Sequence, residues 1–289
     1  MHSLTIQFVV ALSLTTSFVF AEAPVDKTQF NLFNPTPRSA MREMNTDRPD
    51  TTESPITVDA GHIQIELSLV EYTRNEDSGS TAETFAVLPT NLKIGLLNNV
   101  DLQLVFTPYE HQRVKSGGQS QSTDGFSDDT ELRLKVNLWG NEGPDEHFLN
   151  TSFALMPFIK FPTGSGDLSN DHVEGGLIIP LGTDLPHGWS LGLMAEIDFV
   201  FNDGSGDYGL DLVHTATLGH DFPGIERLAF YLEYVGIAPY ETSATYQAIA
   251  SAGLTYALTD DWNFDLGGRA GISQSADDFA LFVGTSFRK

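Results

Sequence analysis

The amino-acid sequence predicts an all-β fold, an antiparallel transmembrane (outer-membrane) β-barrel of about 12 strands. From Gly61 to the C-terminus, runs of alternating apolar and polar residues are separated by turns rich in Gly, Asp, Asn or Pro, which is the pattern of barrel strands. The chain opens with an apolar stretch typical of an export signal. No later segment approaches the roughly 20 apolar residues that a membrane helix needs.

Residues 1–21 are predicted to be a signal peptide. Their apolar run ends at Val19, Phe20 and Ala21, which suit the −3 and −1 positions of a cleavage site before Glu22. The first seven residues carry no Lys or Arg, which departs from the usual signal. The sequence therefore predicts export to the cell outer membrane of a Gram-negative type of cell.

A polar, Pro-rich segment, residues 22–58, precedes the barrel, which is predicted to cover residues 59–289. It contains an entry motif that combines charges and prolines and cannot form a strand or a packed helix: Asp47, Arg48, Pro49, Asp50, Glu53 and Pro55. Two roles stay open, a periplasmic tether or a plug folded back into the lumen. In a plug, Arg48 would pair with an inward acid such as Glu66 or Glu131.

The predicted strands follow one another with short or long links between them. In the clearest one, apolar residues such as Leu132 and Leu134 point one way, and Glu131, Arg133 and Lys135 point the other way. The twelve predicted strands, an even number as bacterial barrels require, are 61–73, 85–96, 100–109, 130–138, 150–161, 172–181, 189–201, 208–219, 228–236, 245–258, 262–273 and 279–287.

Link lengths predict the orientation of the barrel. Residues 74–84, 110–129 and 162–171 are predicted to form long links, whereas 97–99 and 259–261 form short ones. Bacterial barrels place short turns in the periplasm and long loops outside, so both termini are expected on the periplasmic side. Aromatic residues near the strand ends favour interfacial girdles at the two membrane surfaces.

If the apolar faces contact lipid, the opposite faces line the interior. Opposite charges there can pair across strands and fill the lumen, or they can create a field that selects polar solutes, and both readings stay open. The predicted lumen-lining residues are Glu66, Lys93, Asp101, Glu131, Arg133, Lys135, Lys160, Glu196, Asp198, Asp211, Glu233, Asp265 and Arg269.

Composition limits the function classes. A net charge of −24 argues against a nucleic-acid partner, which needs a basic stripe. The chain has no Cys, which excludes disulfides, thiolate catalysis and Cys-based metal sites. No H-E-x-x-H or G-x-S-x-G motif is present, so neither an enzyme nor a cofactor is predicted. His214 on an apolar face fits an interfacial side chain better than a lipid hydrolase.

Several motifs carry a resemblance to a known family. The stretch Asp47-Arg48-Pro49-Asp50-Thr51-Thr52-Glu53-Ser54-Pro55, followed by Gly61-His62-Ile63-Gln64-Ile65-Glu66, resembles the opening of a bacterial outer-membrane barrel family labelled "meta-pathway of phenol degradation" or transporter. Residues 129–135, 157–164, 174–177 and 188–192 are also similar to family landmarks. The resemblance implies a channel or transporter for small hydrophobic or aromatic compounds, without active-site residues.

The sequence as a whole predicts a porin-like channel that passes small molecules by passive diffusion. The alternatives are a non-conducting structural or surface barrel, and a secreted β-sandwich that binds a ligand. The expected partners are outer-membrane lipid, lipopolysaccharide, a small-molecule solute and the barrel-assembly machinery. The chain ends Phe287-Arg288-Lys289, with the aromatic residue two positions earlier than the assembly signal usually has it.

Overall fold

The fold is described from a computed structural model that covers residues 25–202, 204–240 and 245–289. The predicted signal peptide, residues 1–21, lies outside these ranges. In the part that the model describes, no helix is long and apolar enough to cross a membrane. The described residues contain five short 3-10 helices, two before the first strand and three between strands: Lys27–Gln29, Arg38–Ala40, Glu146–Phe148, Gly166–Leu168 and Pro186–Gly188.

Strands make up most of the described chain, and they follow one another as an antiparallel series. The strands are β1 (Ile63–Asp77), β2 (Ser80–Val87), β3 (Thr90–Leu97), β4 (Val100–Ser116), β5 (Gln119–Trp139), β6 (Thr151–Phe161), β7 (Glu174–Leu185), β8 (Trp189–Asn202), β9 (Asp207–Asp221), β10 (Leu228–Ala238), β11 (Gln247–Thr259), β12 (Trp262–Gly271) and β13 (Phe279–Arg288). From β4 to β13, each strand pairs with the next one in sequence, as expected for an up-and-down barrel.

The sheet closes on itself because β13 pairs with β1, from Gln64 opposite Arg288 to Arg74 opposite Phe279. β2 and β3 both pair with β1 on one side and β4 on the other, so they are two halves of one barrel strand. The break falls at residues 88–89, where Pro89 has no N–H to donate to the sheet. The closed barrel therefore has twelve strands, which confirms the predicted fold class.

Two of the predicted long links are wrong, because most of their residues form strands. The predicted link 110–129 contains the end of β4 and the start of β5, and the predicted link 74–84 contains the end of β1 and the start of β2. These extensions carry polar side chains on both faces, for example Gln119 to Thr123. The alternation of apolar and polar residues that indicates a strand is therefore missing there.

The two faces of the sheet are inverted relative to a water-soluble protein. Lys135, Gln64, Glu66 and Asp101 are fully buried, whereas many leucines on the other face are exposed. This is the distribution expected when the outside of the sheet contacts lipid and the inside is polar. We call the end at which β1 begins and β13 ends the base of the barrel.

Aromatic pairs mark the base on its outer side. The Trp139 ring stacks on Phe148 and Phe153, with centroids 4.7 and 4.6 Å away. Trp262 lies 5.4 Å from Phe264 on the opposite part of the same rim. Such rings suit the boundary between lipid tails and headgroups.

Candidate functional site inside the barrel

A loop of the N-terminal segment fills part of the barrel interior. We call residues 43–58 the lumen segment. Its two ends meet at the base, where the backbone N–H of Arg42 donates to Asp59 Oδ2 at 3.0 Å. Between these ends the chain contacts side chains from β1, β3, β4, β5, β8, β9, β10 and β12, so the segment touches most of the barrel wall.

Asp47 is the centre of the largest group of charges. Its carboxylate contacts Lys93, and both its oxygens lie 2.9 Å from Lys135 Nζ. Lys93 also contacts Glu66, whose Oε2 accepts hydrogen bonds from the backbone N–H groups of Asp47 and Arg48 at 3.0 and 3.1 Å. These side chains are all nearly inaccessible to solvent, and each charge among them has an oppositely charged partner. A buried charge needs such a partner, because it has lost its hydration.

Arg48 extends to the part of the barrel wall that β1, β12 and β13 form. Its guanidinium donates to Asp265 Oδ1 at 2.7 Å and to Ser68 Oγ at 2.6 Å. It also lies over the Phe282 ring, 5.9 Å from the centroid, at a distance that suits a cation–π contact. Position 284 is glycine, and a Cβ there would collide with this guanidinium. The residue at 284 therefore leaves the space that Arg48 occupies.

Arg48 pairs with an inward acid, as predicted for a plug, but the two acids named as examples, Glu66 and Glu131, are wrong. The guanidinium pairs with Asp265, and Glu66 binds only the backbone N–H of Arg48. Glu66 is already paired with Lys93, which lies on the neighbouring strand β3 opposite Gln64.

Glu233 holds the next turn of the lumen segment. Its Oε1 accepts hydrogen bonds from the backbone N–H groups of Thr51 and Thr52, at 2.9 and 2.8 Å. The Thr52 hydroxyl lies 2.6 Å from each of the hydroxyls of Thr215 and Thr217, and it also donates to Glu233. One carboxylate thus satisfies two backbone N–H groups that would otherwise lack partners.

Glu53 connects the segment to β5. Its Oε1 lies 2.7 Å from Arg133 Nη1, and Arg133 also pairs with Glu131 of its own strand at 2.6 Å. The backbone N–H of Glu53 points to the Met194 sulfur at 3.4 Å. Met194 belongs to a small apolar group on the inner wall together with Met156 and Ile178.

The returning half of the segment is held by side chains of β4 and β5. Asn137 Nδ2 donates to the Pro55 carbonyl at 2.9 Å, and Asp101 Oδ2 accepts from the Val58 backbone N–H at 3.0 Å. Pro49, within the turn, is buried as well. The six residues of the entry motif therefore all lie in the lumen. Asp50 among them lines the space that the lumen segment leaves open.

A second charged group closes the base. Asp59 is completely buried, and its carboxylate lies 3.5 Å from the Arg42 guanidinium and 3.4 Å from that of Arg288. Arg288 also donates to Asp261 at 2.8 Å and to the Arg42 carbonyl at 2.9 Å. The end of the last strand is thereby joined to both ends of the lumen segment.

The other predicted lumen residues lie on the same inner face but away from the lumen segment. Lys160 lies 3.6 Å from Glu174, and Arg269 donates to Glu71 at 2.7 Å. Among the described residues, no ion pair joins this set to the segment: Glu131, Lys160, Glu196, Asp198, Asp211 and Arg269.

Several contacting residues were not singled out from the sequence. Thr215 and Thr217 alternate with outward apolar residues on β9, so the strand pattern could have placed them inside. Ser68 on β1 follows the same rule. Arg42 and Asp59 gave no signal, because they lie outside any periodic pattern and act only through contacts with distant parts of the chain.

An open space remains beside the lumen segment. A cavity of about 1690 Å³ extends from the turns at the base to Asp50, Thr52 and Thr217. Its lining includes many small residues, namely Gly182, Gly188, Ser190, Gly192, Gly219 and Ala257. In the described ranges, no group of three or more His, Asp or Glu residues could hold a metal ion.

The chain matches one family model, described as "Putative MetA-pathway of phenol degradation", over residues 46–288. The chain belongs to this family. The matched region begins just before Asp47, so most of the lumen segment and the barrel both lie within the phenol-degradation family domain. No curated protein matches the chain.

Solved structures show a related fold. The chain is similar to the COG4313 outer membrane channel from Pseudomonas putida F1, with a TM-score of 0.55 and 14% identity over 85% of this chain and 100% of that one. It also matches the NanC porin with a TM-score of 0.47 and 13% identity, over 76% of this chain and 98% of that one. The first similarity supports the outer-membrane barrel fold for this member of the phenol-degradation family.

Proposed function

We propose that this chain is an outer-membrane channel that passes small molecules, hydrophobic and aromatic compounds among them, by passive diffusion, with the lumen segment as its plug. The observation that carries the proposal is the way the segment is held. Among the described residues, positions 43–58 make no backbone–backbone hydrogen bond with any strand. Their contacts with the wall run through side chains.

This mode of attachment suits a movable element. A segment that formed part of the sheet could leave only by breaking a hydrogen-bond ladder and exposing strand edges. The lumen segment can leave while the twelve-stranded ladder stays intact, because its partners are carboxylates, ammonium groups and hydroxyls that water can solvate. Movement of the segment therefore would open the interior without unfolding the barrel.

The open space gives a solute a place on one side of the plug. The cavity of about 1690 Å³ reaches the base, and its lining combines carboxylates such as Asp50 with aromatic rings such as Phe230 and Tyr231. Mixed polar and apolar linings are usual for small-molecule sites. Residues Glu196 and Asp198, on the inner face beyond the cavity, would line the remaining path.

The location follows from the outer face. The exposed leucines of the barrel need lipid around them, and the orientation expected for bacterial barrels places the base and both termini in the periplasm. We include export through the signal at residues 1–21, insertion by the barrel-assembly machinery and contact with lipopolysaccharide in the proposal. Catalysis, a cofactor and nucleic acid have no part in it.

One observation favours the alternative of a non-conducting structural barrel. Lys93, Lys135 and Arg133 are all paired with acids, and the segment contributes Asp47 and Glu53 to these pairs. Such pairing could serve only to fill the lumen. The two functions differ in whether ions pass through inserted protein.

The test is single-channel recording on the mature chain, from Glu22 onward, refolded into a planar bilayer. We expect small, discrete current steps in the full mature chain and steps several times larger after deletion of residues 25–58. The gel mobility of the folded barrel verifies that protein has inserted, so that a lack of current is not mistaken for a channel-free protein when the bilayer contains no protein. Silence from both inserted proteins would contradict the channel and support the structural barrel.

A further inference from the structure

An aromatic side chain stands almost free at the base of the barrel. Phe33 is 92% exposed, although the surrounding backbone is well fixed. Asn31 Oδ1 accepts hydrogen bonds from the backbone N–H groups of Phe33 and Asn34 at 2.9 and 3.1 Å, which closes a tight turn. Exposure of a whole Phe ring on an ordered turn is costly in water, so it suggests a contact surface.

The turn is attached to the end of a barrel strand. The backbone N–H of Leu32 donates to the Leu96 carbonyl at 2.8 Å, and Asn31 forms a bridge with Leu97 in the last position of β3. The chain then continues along the base, where the backbone N–H of Thr36 donates to the Ala60 carbonyl at 2.9 Å. Residues 31–34 therefore lie at the wall of the barrel, outside the lumen.

The neighbouring surface is apolar and continues into the outer face. Leu97 is 47% exposed beside the turn, and β4, the next strand, pairs with β5 up to Val136. Leu138 on β5 is also exposed, and the following turn presents Phe148 and Leu149. Phe148 stacks on Trp139 in the aromatic row at the base. This apolar surface thus merges with the face that we assign to lipid.

We propose that the turn of residues 31–34 inserts Phe33 into the phospholipid leaflet at the base of the barrel and so anchors the chain that leads into the lumen segment to the membrane. The inference rests on the proposed outer-membrane location. Lipid is the occupant because the patch is continuous with the outer face and because aromatic rings favour the interface. The chain before the lumen segment would then be held by Phe33 in the membrane, and the chain after it by the contacts of Asp59 at the base.

The absence of Cys in the chain makes a direct test possible. Phe33→Cys, Asp260→Cys and Leu266→Cys are each labelled with an environment-sensitive fluorophore in phosphatidylcholine vesicles, with and without lipids that carry a quencher near the headgroup. Asp260, 92% exposed in a base turn, is the aqueous control, and Leu266 on the outer face is the lipid control. We expect quenching at position 33 at least twice that at position 260.

Three outcomes are decisive. Strong quenching at positions 33 and 266 but not at 260 supports the anchor. Quenching at 266 alone overturns the anchor and leaves the membrane location intact, and quenching at neither position overturns both. Phe33→Trp keeps an aromatic ring and needs no label, so it gives a second measurement. The tryptophan fluorescence that this variant shows beyond that of the wild-type chain should be quenched by brominated lipid. If brominated lipid leaves this additional fluorescence unchanged, Phe33 does not insert into the membrane.

Discussion

Replacement of Asp47 by alanine is expected to release the lumen segment and raise the mean current through single channels. The substitution leaves Lys93 and Lys135 without the carboxylate that they share. Loss of one partner of a buried ion pair costs about 3–5 kcal/mol. The barrel can avoid this cost by expelling the segment and hydrating both ammonium groups. The equilibrium between the plugged and open states would shift by about 10²–10³-fold, since 1.4 kcal/mol is a factor of ten.

The matched control is Asp26→Ala on the same N-terminal segment. Within the described part of the chain, the hydrogen bonds of Asp26 are local ones, with Thr28 and Gln29. Asp26→Ala should leave the single-channel current unchanged. Both variants should show the same heat-dependent gel mobility of a folded barrel. Equal currents in Asp47→Ala and the wild-type chain would show that this ion-pair group does not hold the plug.

Replacement of Glu233 by alanine is expected to expose the middle of the lumen segment to solvent exchange. The carboxylate is the acceptor for the backbone N–H groups of Thr51 and Thr52. Hydrogen bonds to charged groups contribute about 1.5–3 kcal/mol each. Loss of both should raise amide exchange at residues 51 and 52 by about 100-fold or more. The measurement is hydrogen–deuterium exchange of the inserted protein, followed by mass spectrometry.

Glu76→Ala gives the control for this experiment, because Glu76 lies in the exposed hairpin of β1 and β2, where its carboxylate pairs with Arg74, far from the lumen segment. Glu233→Gln retains one acceptor oxygen and should give an intermediate rate. If exchange at residues 51 and 52 stays slow in Glu233→Ala while the barrel strands exchange as in the wild-type chain, the Glu233 carboxylate does not hold this part of the lumen segment.

The barrel could be predicted from the sequence because its lipid-facing stretches keep their alternation. The run from Leu132 to Leu138 indicates one strand face without any reference to the rest of the chain. The polar ends of β4 and β5 could not be predicted in this way, since water surrounds both faces and removes the alternation. The break at Pro89 was hidden as well, because apolar residues continue on both sides of it.

The lumen segment shows the other limit of prediction. Its charges and prolines indicated that it belonged neither to lipid nor to a strand, which left a plug and a tether as alternatives. The inward acids and bases were identifiable by strand position, but their partners were not. Arg48 pairs with Asp265, more than 200 residues further along, because closure pairs β1 with β13 and so leaves β12 only one strand away from β1. Such a pairing depends on the closure of the barrel, which cannot be predicted from a local sequence pattern.

The proposed plug requires that residues 43–58 lie inside the barrel when it is in the membrane. Thr52→Cys combined with Thr217→Cys tests this position directly, because the two hydroxyl oxygens lie 2.6 Å apart and the chain has no other Cys. We expect a disulfide in the inserted protein under mild oxidation, reversed by reductant, and none in Thr52→Cys with Gln121→Cys at the far hairpin. If the first pair stays reduced in folded, inserted protein, the lumen segment does not lie inside the barrel.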